Sequence, residues 1–179
     1  MSAAGKTTVS RILAKRLGVE AIGGGEILRE MASERGYNPV GDDWWDTDEG
    51  IRFLRERESD PEFDKEADSR LRKKIIAGNI VITSYTAPWI IKEGFKIWLS
   101  ATQDTRAKRM SKRDKTNLEK SEGVVKLRDS ENYGLYKELY GIDLLNDTAP
   151  FDLIIDTNKK TPEQISEIIL ENAEKRRNK

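Results

Sequence analysis

Residues 1–18 read MSAAGKTTVSRILAKRLG, and the reading of Gly5, Lys6 and Thr7 within them decides how the rest of the chain is interpreted. The pattern G-x-x-x-x-G-K-[ST] marks a phosphate-binding loop between a strand and a helix. Gly5, Lys6 and Thr7 supply its second half, whereas its first glycine would fall one position ahead of Met1. From Thr7 onward, Val9, Ile12, Leu13 and Leu17 follow helical spacing, and Gly18 is placed to end that helix in a left-handed cap. The triplet therefore stands at a helix N-terminus. There, backbone N–H groups around Gly5 point at phosphate oxygens, Lys6 reaches the outer phosphates and the Thr7 hydroxyl serves Mg²⁺. An exposed lysine at an ordinary helix start is the plain alternative. Because such a loop works only when a strand delivers it to a sheet edge, the natural N-terminus is expected further upstream, with the first strand lacking in residues 1–179.

Downstream, the short run VEAI precedes the glycines 23–25, and Ile27, Leu28, Met31 and Ala32 mark a second helix that Gly36 should terminate. Residues 37–48, YNPVGDDWWDTD, read as an irregular connection in which burial of Trp44 and Trp45 is favoured over base stacking. A longer helix is expected over DPEFDKEADSRLRKKIIAG, where Phe63, Ala67, Leu71 and Ile75 lie four apart and Gly78 is the stop. Two β-rich runs, IVITSY and FKIWLS, follow. Residues 102–114 read as a cation-dense helix and residues 117–140 as a second helical stretch weakened by Gly123 and Gly134, a segment able to move. FDLIIDT reads as a buried strand. The last helix starts at TPEQ, with Thr161 as N-cap and Pro162 in the first turn. Strands alternating with helices predict an open α/β fold with a mostly parallel sheet covered by helices.

Composition narrows the chemistry. A chain of 179 residues with 36% apolar and 36% charged residues suits one domain with a heavily solvated surface. Lysine plus arginine balance aspartate plus glutamate at 32 each, so any anion site must be local. The absence of cysteine and histidine excludes disulfides, thiolate nucleophiles, histidine bases and the common zinc sites. No signal peptide or membrane span is read near the start, and a soluble, cytoplasmic protein is expected. What remains is chemistry done by lysine, arginine, carboxylates, backbone amides and a hard cation. Phosphoryl transfer fits that set.

In the cation-dense helix, Arg106, Arg109 and Arg113 share a sector of about 60°, and Lys108, Lys112 and Lys115 fall on another side. The arginine sector suits phosphate because a guanidinium binds its oxygens bidentately. A solvated surface helix and a nucleic-acid patch are the alternatives, although no interleaved aromatic residues support the latter. Asp64, Glu66 and Asp68 are candidates for the acceptor side, or simply the polar face of their helix.

Several separate stretches together resemble archaeal-type cytidylate kinases, members of the P-loop nucleoside monophosphate kinases. GKTTVSRILAKRLG is similar to the family's phosphate loop and first helix, and AIGGGEILREMA to its S-A-G-D-[IL]-[FM]-R-E-[LM]-A segment. DPEFDKEADSRL and RAKRMSKRD are similar to the acceptor-side helix and to the start of the lid. LYKELYGID and FDLIIDTNKKTPEQI resemble the C-terminal third. The resemblance implies a three-layer P-loop kinase fold in one domain, residues 1–179, with a helical lid over about 106–136. It further implies transfer of the ATP γ-phosphate to CMP or dCMP, with Mg²⁺ as cofactor and nucleotides as the partners of a monomer.

Carried over by position, Ser2, Ala3, Ala4, Gly5, Lys6, Thr7 and Thr8 would hold ATP, with Thr7 on the metal. Gly24, Gly25, Arg29, Asp64, Arg70 and Tyr85 would hold the acceptor, and Lys6, Arg109, Arg113 and Arg128 the transition-state charge. Two departures stand out. Thr83, Ser84 and Tyr85 replace an E-G-R sequence of the family, and Leu135 stands where a second lid arginine is usual. Each missing phosphate contact is worth roughly 1.5 to 3 kcal/mol. Two readings therefore stay open beside cytidylate kinase: a kinase with another acceptor, and an ATP-binding regulatory protein of the same fold.

Overall fold

A computed structural model describes residues 1–41, 44 and 47–178. In chain order the elements are α1 (Lys6–Leu17), β1 (Glu20–Gly23), α2 (Gly24–Glu34), α3 (Asp48–Ser59), α4 (Pro61–Ala77), β2 (Ile80–Thr83), α5 (Ala87–Ile90), β3 (Ile97–Ser100), α6 (Gln103–Asp114), α7 (Leu118–Tyr140), β4 (Leu153–Asp156) and α8 (Pro162–Arg177). The class is α/β, as expected, and both strand pairings are parallel.

The sheet is not continuous. Among the described residues β2 pairs with β1, from Glu20 opposite Ile80 to Gly23 opposite Thr83, and β3 pairs with β4, from Ile97 opposite Leu153 to Ser100 opposite Asp156. Between the two pairs runs an apolar cleft of about 640 Å³, lined by Val81 and Ile82 of β2, Trp98 and Leu99 of β3, and Leu13 and Ile169 from the helices. Lys6 and Tyr85 also line it. The pairs remain in one body because α1 packs on both β2 and α8. Val9 and Leu13 of α1 share a core with Leu99, Ile155, Ile165 and Ile169.

A second core is built around α2 and α4, joining Ile27, Met31, Trp44, Phe53, Phe63 and Leu71. Its centre is aromatic. Phe53, fully buried, lies 5.4 Å from Tyr37, 5.6 Å from Trp44 and 5.3 Å from Phe63, mostly edge to face. Trp44 is only 2% exposed and donates its indole N–H to Glu49 Oε2 at 2.8 Å. Burial thus accounts for Trp44; Trp45 lies outside the described residues.

Three expectations are corrected. The region before α4 contains an additional helix, α3, started by Thr47, whose hydroxyl accepts from the Gly50 N–H. A short helix, α5, interrupts the connection from β2 to β3. The FDLIIDT strand is not buried throughout, for Ile154 is 51% exposed while Ile155 is 4% exposed. Pairing of β4 with β3 leaves alternate side chains on opposite faces, and one face meets solvent.

The remaining ends follow their signals. Gly18 takes the left-handed conformation that closes α1, and α7 runs unbroken through Gly123 and Gly134. Thr161 caps α8, accepting from Gln164 N–H while the Gln164 side chain accepts from Thr161 N–H. Replacing Thr161 by Ala should cost about 1 kcal/mol, read as a fall of a few degrees in the unfolding temperature.

Candidate functional site

The loop ahead of α1 is folded for close approach of backbone. Ala3 and Gly5 both have positive φ, 54° and 97°. An Ala at Gly5 would have space but would be forced into a conformation that side chains disfavour. Helices α3, α4, α6, α7 and α8 each start with a side chain that accepts from a first-turn N–H, whereas α1, like α2, has no such cap, and unlike α2 with its Glu26 it has no acidic residue in its first turn. The Ser2 hydroxyl is the buried side-chain polar atom, among the described residues, without a hydrogen-bond partner. Uncapped N–H groups and an orphaned hydroxyl in one loop fit an anion with several acceptor oxygens.

Lys6 leads into that loop. Its ammonium donates to the Met1 carbonyl and lies 4.8 Å from the Tyr85 ring centroid. Burial lowers its pKa to about 8, opposed by its hydrogen bond to the chain terminus, so it stays predominantly charged at neutral pH. Thr7 and Thr8 are exposed at the first turn of α1, and Ala4 is buried.

The acceptor-side residues gather around α2 and α4. Gly24 and Gly25 form the first turn of α2, whose start is closed by Glu26 accepting from the Gly23 N–H at 2.9 Å. Gly23 is required here because a Cβ would come within 2.5 Å of Thr83 Oγ1. Arg29 donates to the carbonyls of Pro39 and Gly41 and lies 5.9 Å from the Trp44 ring. Asp64 accepts two bonds from Arg57, at 3.0 and 2.7 Å. Asp68 accepts from Thr86 and from the Tyr140 hydroxyl. Arg70 spends its fork on two carboxylates, with 2.6 Å bonds to both oxygens of Glu34 and further bonds to Glu66 Oε1. Arg35 adds a 3.4 Å pair to Glu66, and Lys74 reaches Glu30 at 2.8 Å, so a line of charge joins α2 to α4.

Helices α6 and α7 form a hairpin with its own small core of Ala107, Met110 and Val125, against which Ala3 of the loop packs. The three arginines of α6 do not act alike. Arg106 is 2% exposed and makes a two-bond ion pair with Asp129 of α7, at 2.8 and 2.5 Å. It also donates to the carbonyls of Ala101 and Ser2. Arg109 donates to the hydroxyl and carbonyl of Thr157, beyond β4. Arg113 pairs with Asp114 at the exposed end of the helix, and Arg128 is exposed on α7. Sequence reading missed Asp129, although a carboxylate in the partner helix of a cation-dense helix is the signal that finds it.

Two solved structures share this architecture: shikimate kinase from Acinetobacter baumannii in complex with shikimate, 21% identical with a TM-score of 0.55 over 99% of this chain and 90% of that one, and an uncharacterised protein from Eubacterium ventriosum, 14% identical with a TM-score of 0.60 over 95% and 91%. The fold is that of the P-loop kinases. The sequence profile of the cytidylate kinase-like family matches residues 1–159. Cytidylate kinase of Pyrococcus abyssi is 36% identical over 170 residues, 94% of this chain and 87% of that protein, and cytidylate kinase of Pyrobaculum neutrophilum is 36% identical over 156 residues, 86% and 78%. The chain belongs to the cytidylate kinase-like family.

Proposed function

We propose that the protein transfers the γ-phosphoryl group of ATP to a nucleoside monophosphate, with CMP or dCMP as acceptor. The observation that carries this reading is the uncapped start of α1, with Lys6 and the orphaned Ser2 hydroxyl beside it, in a chain of this family. Residues 2–8 hold the donor phosphates through backbone N–H groups, and Lys6 supplies the positive charge. An acceptor phosphate oxygen attacks the γ-phosphorus, the bond to the β–γ bridging oxygen breaks, and ADP leaves.

Arg29, which donates to the carbonyls of Pro39 and Gly41, would bind the acceptor phosphate through its guanidinium fork. Arg70 would have to abandon two carboxylates, so its contribution is to hold α2 against α4 beneath Gly24, Gly25 and Asp64. Tyr85, two residues beyond β2, stands beside Lys6 on the donor side. Arg109, Arg113 and Arg128 provide the mobile positive charge of a lid formed by α6 and α7, within a single domain.

Mg²⁺ would be held by the Thr7 hydroxyl and neutralise charge between the β and γ phosphates. No helix among the described residues is long and apolar enough to cross a membrane.

ADP release from ATP and Mg²⁺, measured with CMP, dCMP, UMP and AMP in turn, tests the reading. Rapid release is expected with CMP or dCMP, falling about 100- to 1,000-fold in Lys6→Ala. A folded protein that binds ATP yet releases no ADP with any acceptor would overturn it in favour of a regulatory nucleotide-binding protein.

A further inference from the structure

Three tyrosines lie in a row that neither the donor loop nor the acceptor arginines require. The ring of Tyr85 is 5.6 Å from that of Tyr136 with planes 24° apart, and Tyr136 is 6.5 Å from Tyr140 with planes 29° apart. At the far end the Tyr140 hydroxyl donates to Asp68 Oδ2, and Asp68 Oδ1 accepts from Thr86 at 3.1 Å. Thr86 is the neighbour of Tyr85 and is 3% exposed, and the Ser84 hydroxyl accepts from the N–H groups of Thr86 and Ala87. The row thus closes on itself through α7, α4 and the turn after β2. At its near end stands the Lys6 ammonium, 4.8 Å from the Tyr85 centroid.

We propose that Tyr85 is a positioning residue for Lys6, and that its stack on Tyr136 ties the donor lysine to the lid helix α7. The proposal deepens the kinase reading and rests on it. A partly buried ammonium over an aromatic face is held by the ring quadrupole, and a ring keeps that hold without competing for phosphate, as a carboxylate would. Burial raises the pKa of both phenols, that of Tyr136 to about 12, so both rings stay neutral in the range where Lys6 is charged. Any displacement of α7 moves Tyr136 and is transmitted to Lys6 through two ring contacts. The ring of Tyr85, not its hydroxyl, is the working part. This differs from a place in the acceptor pocket, and the two make opposite predictions.

Steady-state kinetics and equilibrium MgATP binding on Tyr85→Phe, Tyr85→Leu, Tyr136→Leu and the Tyr85→Leu/Tyr136→Leu pair decide between them. Loss of the ring in Tyr85→Leu should weaken MgATP binding or lower kcat about tenfold, with the KM for CMP within twofold of the parent. Tyr85→Phe should restore both, Tyr136→Leu should shift the same parameters by a smaller factor, and the pair should lose less than the product of the two. Unchanged donor parameters, an effect confined to the KM for CMP, failure of Tyr85→Phe to rescue, or multiplicative losses in the pair would each overturn the proposal. If Tyr85→Leu does not fold, Tyr85→Met supplies a ring-free side chain of greater length for the same measurements. MgATP affinity is measured without acceptor, so it separates the two claims. A parent protein inactive with every acceptor sinks the kinase reading, while tenfold weaker MgATP binding in Tyr85→Leu still supports the positioning of Lys6.

Discussion

A segment of five valine and isoleucine residues followed by glycine, fused directly ahead of Met1, is expected to raise the unfolding temperature by roughly 10–20 °C. The cleft between β2 and β3 offers such a segment apolar walls and, on each side, a strand paired along one edge only among the described residues. Burying its side chains contributes about 1.5 to 3 kcal/mol each, offset by roughly 1 to 2 kcal/mol per residue for fixing the backbone, and its ladder hydrogen bonds add to the balance. A net gain on the order of 5 kcal/mol follows from these ranges. The fusion also completes G-x-x-x-x-G-K-T at Lys6. MgATP affinity should rise together with the unfolding temperature, both measurable by calorimetry. An unfolding temperature unmoved by the fusion would mean that the cleft does not accept a strand.

Asp129→Ala should be the most damaging single substitution in the α6–α7 hairpin. Arg106 is 2% exposed and Asp129 half-buried, and their two-bond pair joins α6 to α7 while Arg106 also reaches the Ser2 carbonyl. Removing the carboxylate strands a buried guanidinium, a loss of about 3 to 5 kcal/mol, or roughly 6–20 °C in a chain of this size. The double variant Arg106→Met/Asp129→Leu, which fills the site with apolar atoms, should recover most of that loss because the pair repays little more than its own desolvation. Thermal unfolding of the three proteins checks both statements. A shift below 2 °C for Asp129→Ala would show that water reaches Arg106.

Much of this architecture is written locally. The cap at Thr161, the left-handed Gly18 and the helical spacing of apolar residues in α1, α4 and α8 are decided within a few residues of sequence, and each was legible. What escaped is decided at a distance. Helix α3 has Asp48, Glu49, Arg52, Arg55, Glu56 and Arg57 around its turns, and its place is fixed by Phe53 fitting between Tyr37, Trp44 and Phe63. The arginines of α6 share a sector by arithmetic, yet their destinations differ because Asp129, Thr157 and Asp114 come from three different places in the chain. That Gly5, Lys6 and Thr7 stand at the start of a helix was legible from the spacing of the apolar residues that follow. The contact of Lys6 with Tyr85 joins residues 79 positions apart, and nothing in either neighbourhood announces it.

The charge line from Glu30 and Lys74 through Glu34, Arg70, Glu66 and Arg35 has a consequence for behaviour on heating. Hydration of charged groups becomes less favourable as temperature rises, so linked ion pairs lose less of their worth than isolated ones and can gain in relative weight. Because these charges lie at the surface, salt weakens them more readily than warmth does. The α2–α4 body is thereby biased to remain assembled at temperatures where the α6–α7 hairpin, whose own core among the described residues is Ala107, Met110 and Val125, has begun to open. Heat would loosen the hairpin before it loosens the α2–α4 body.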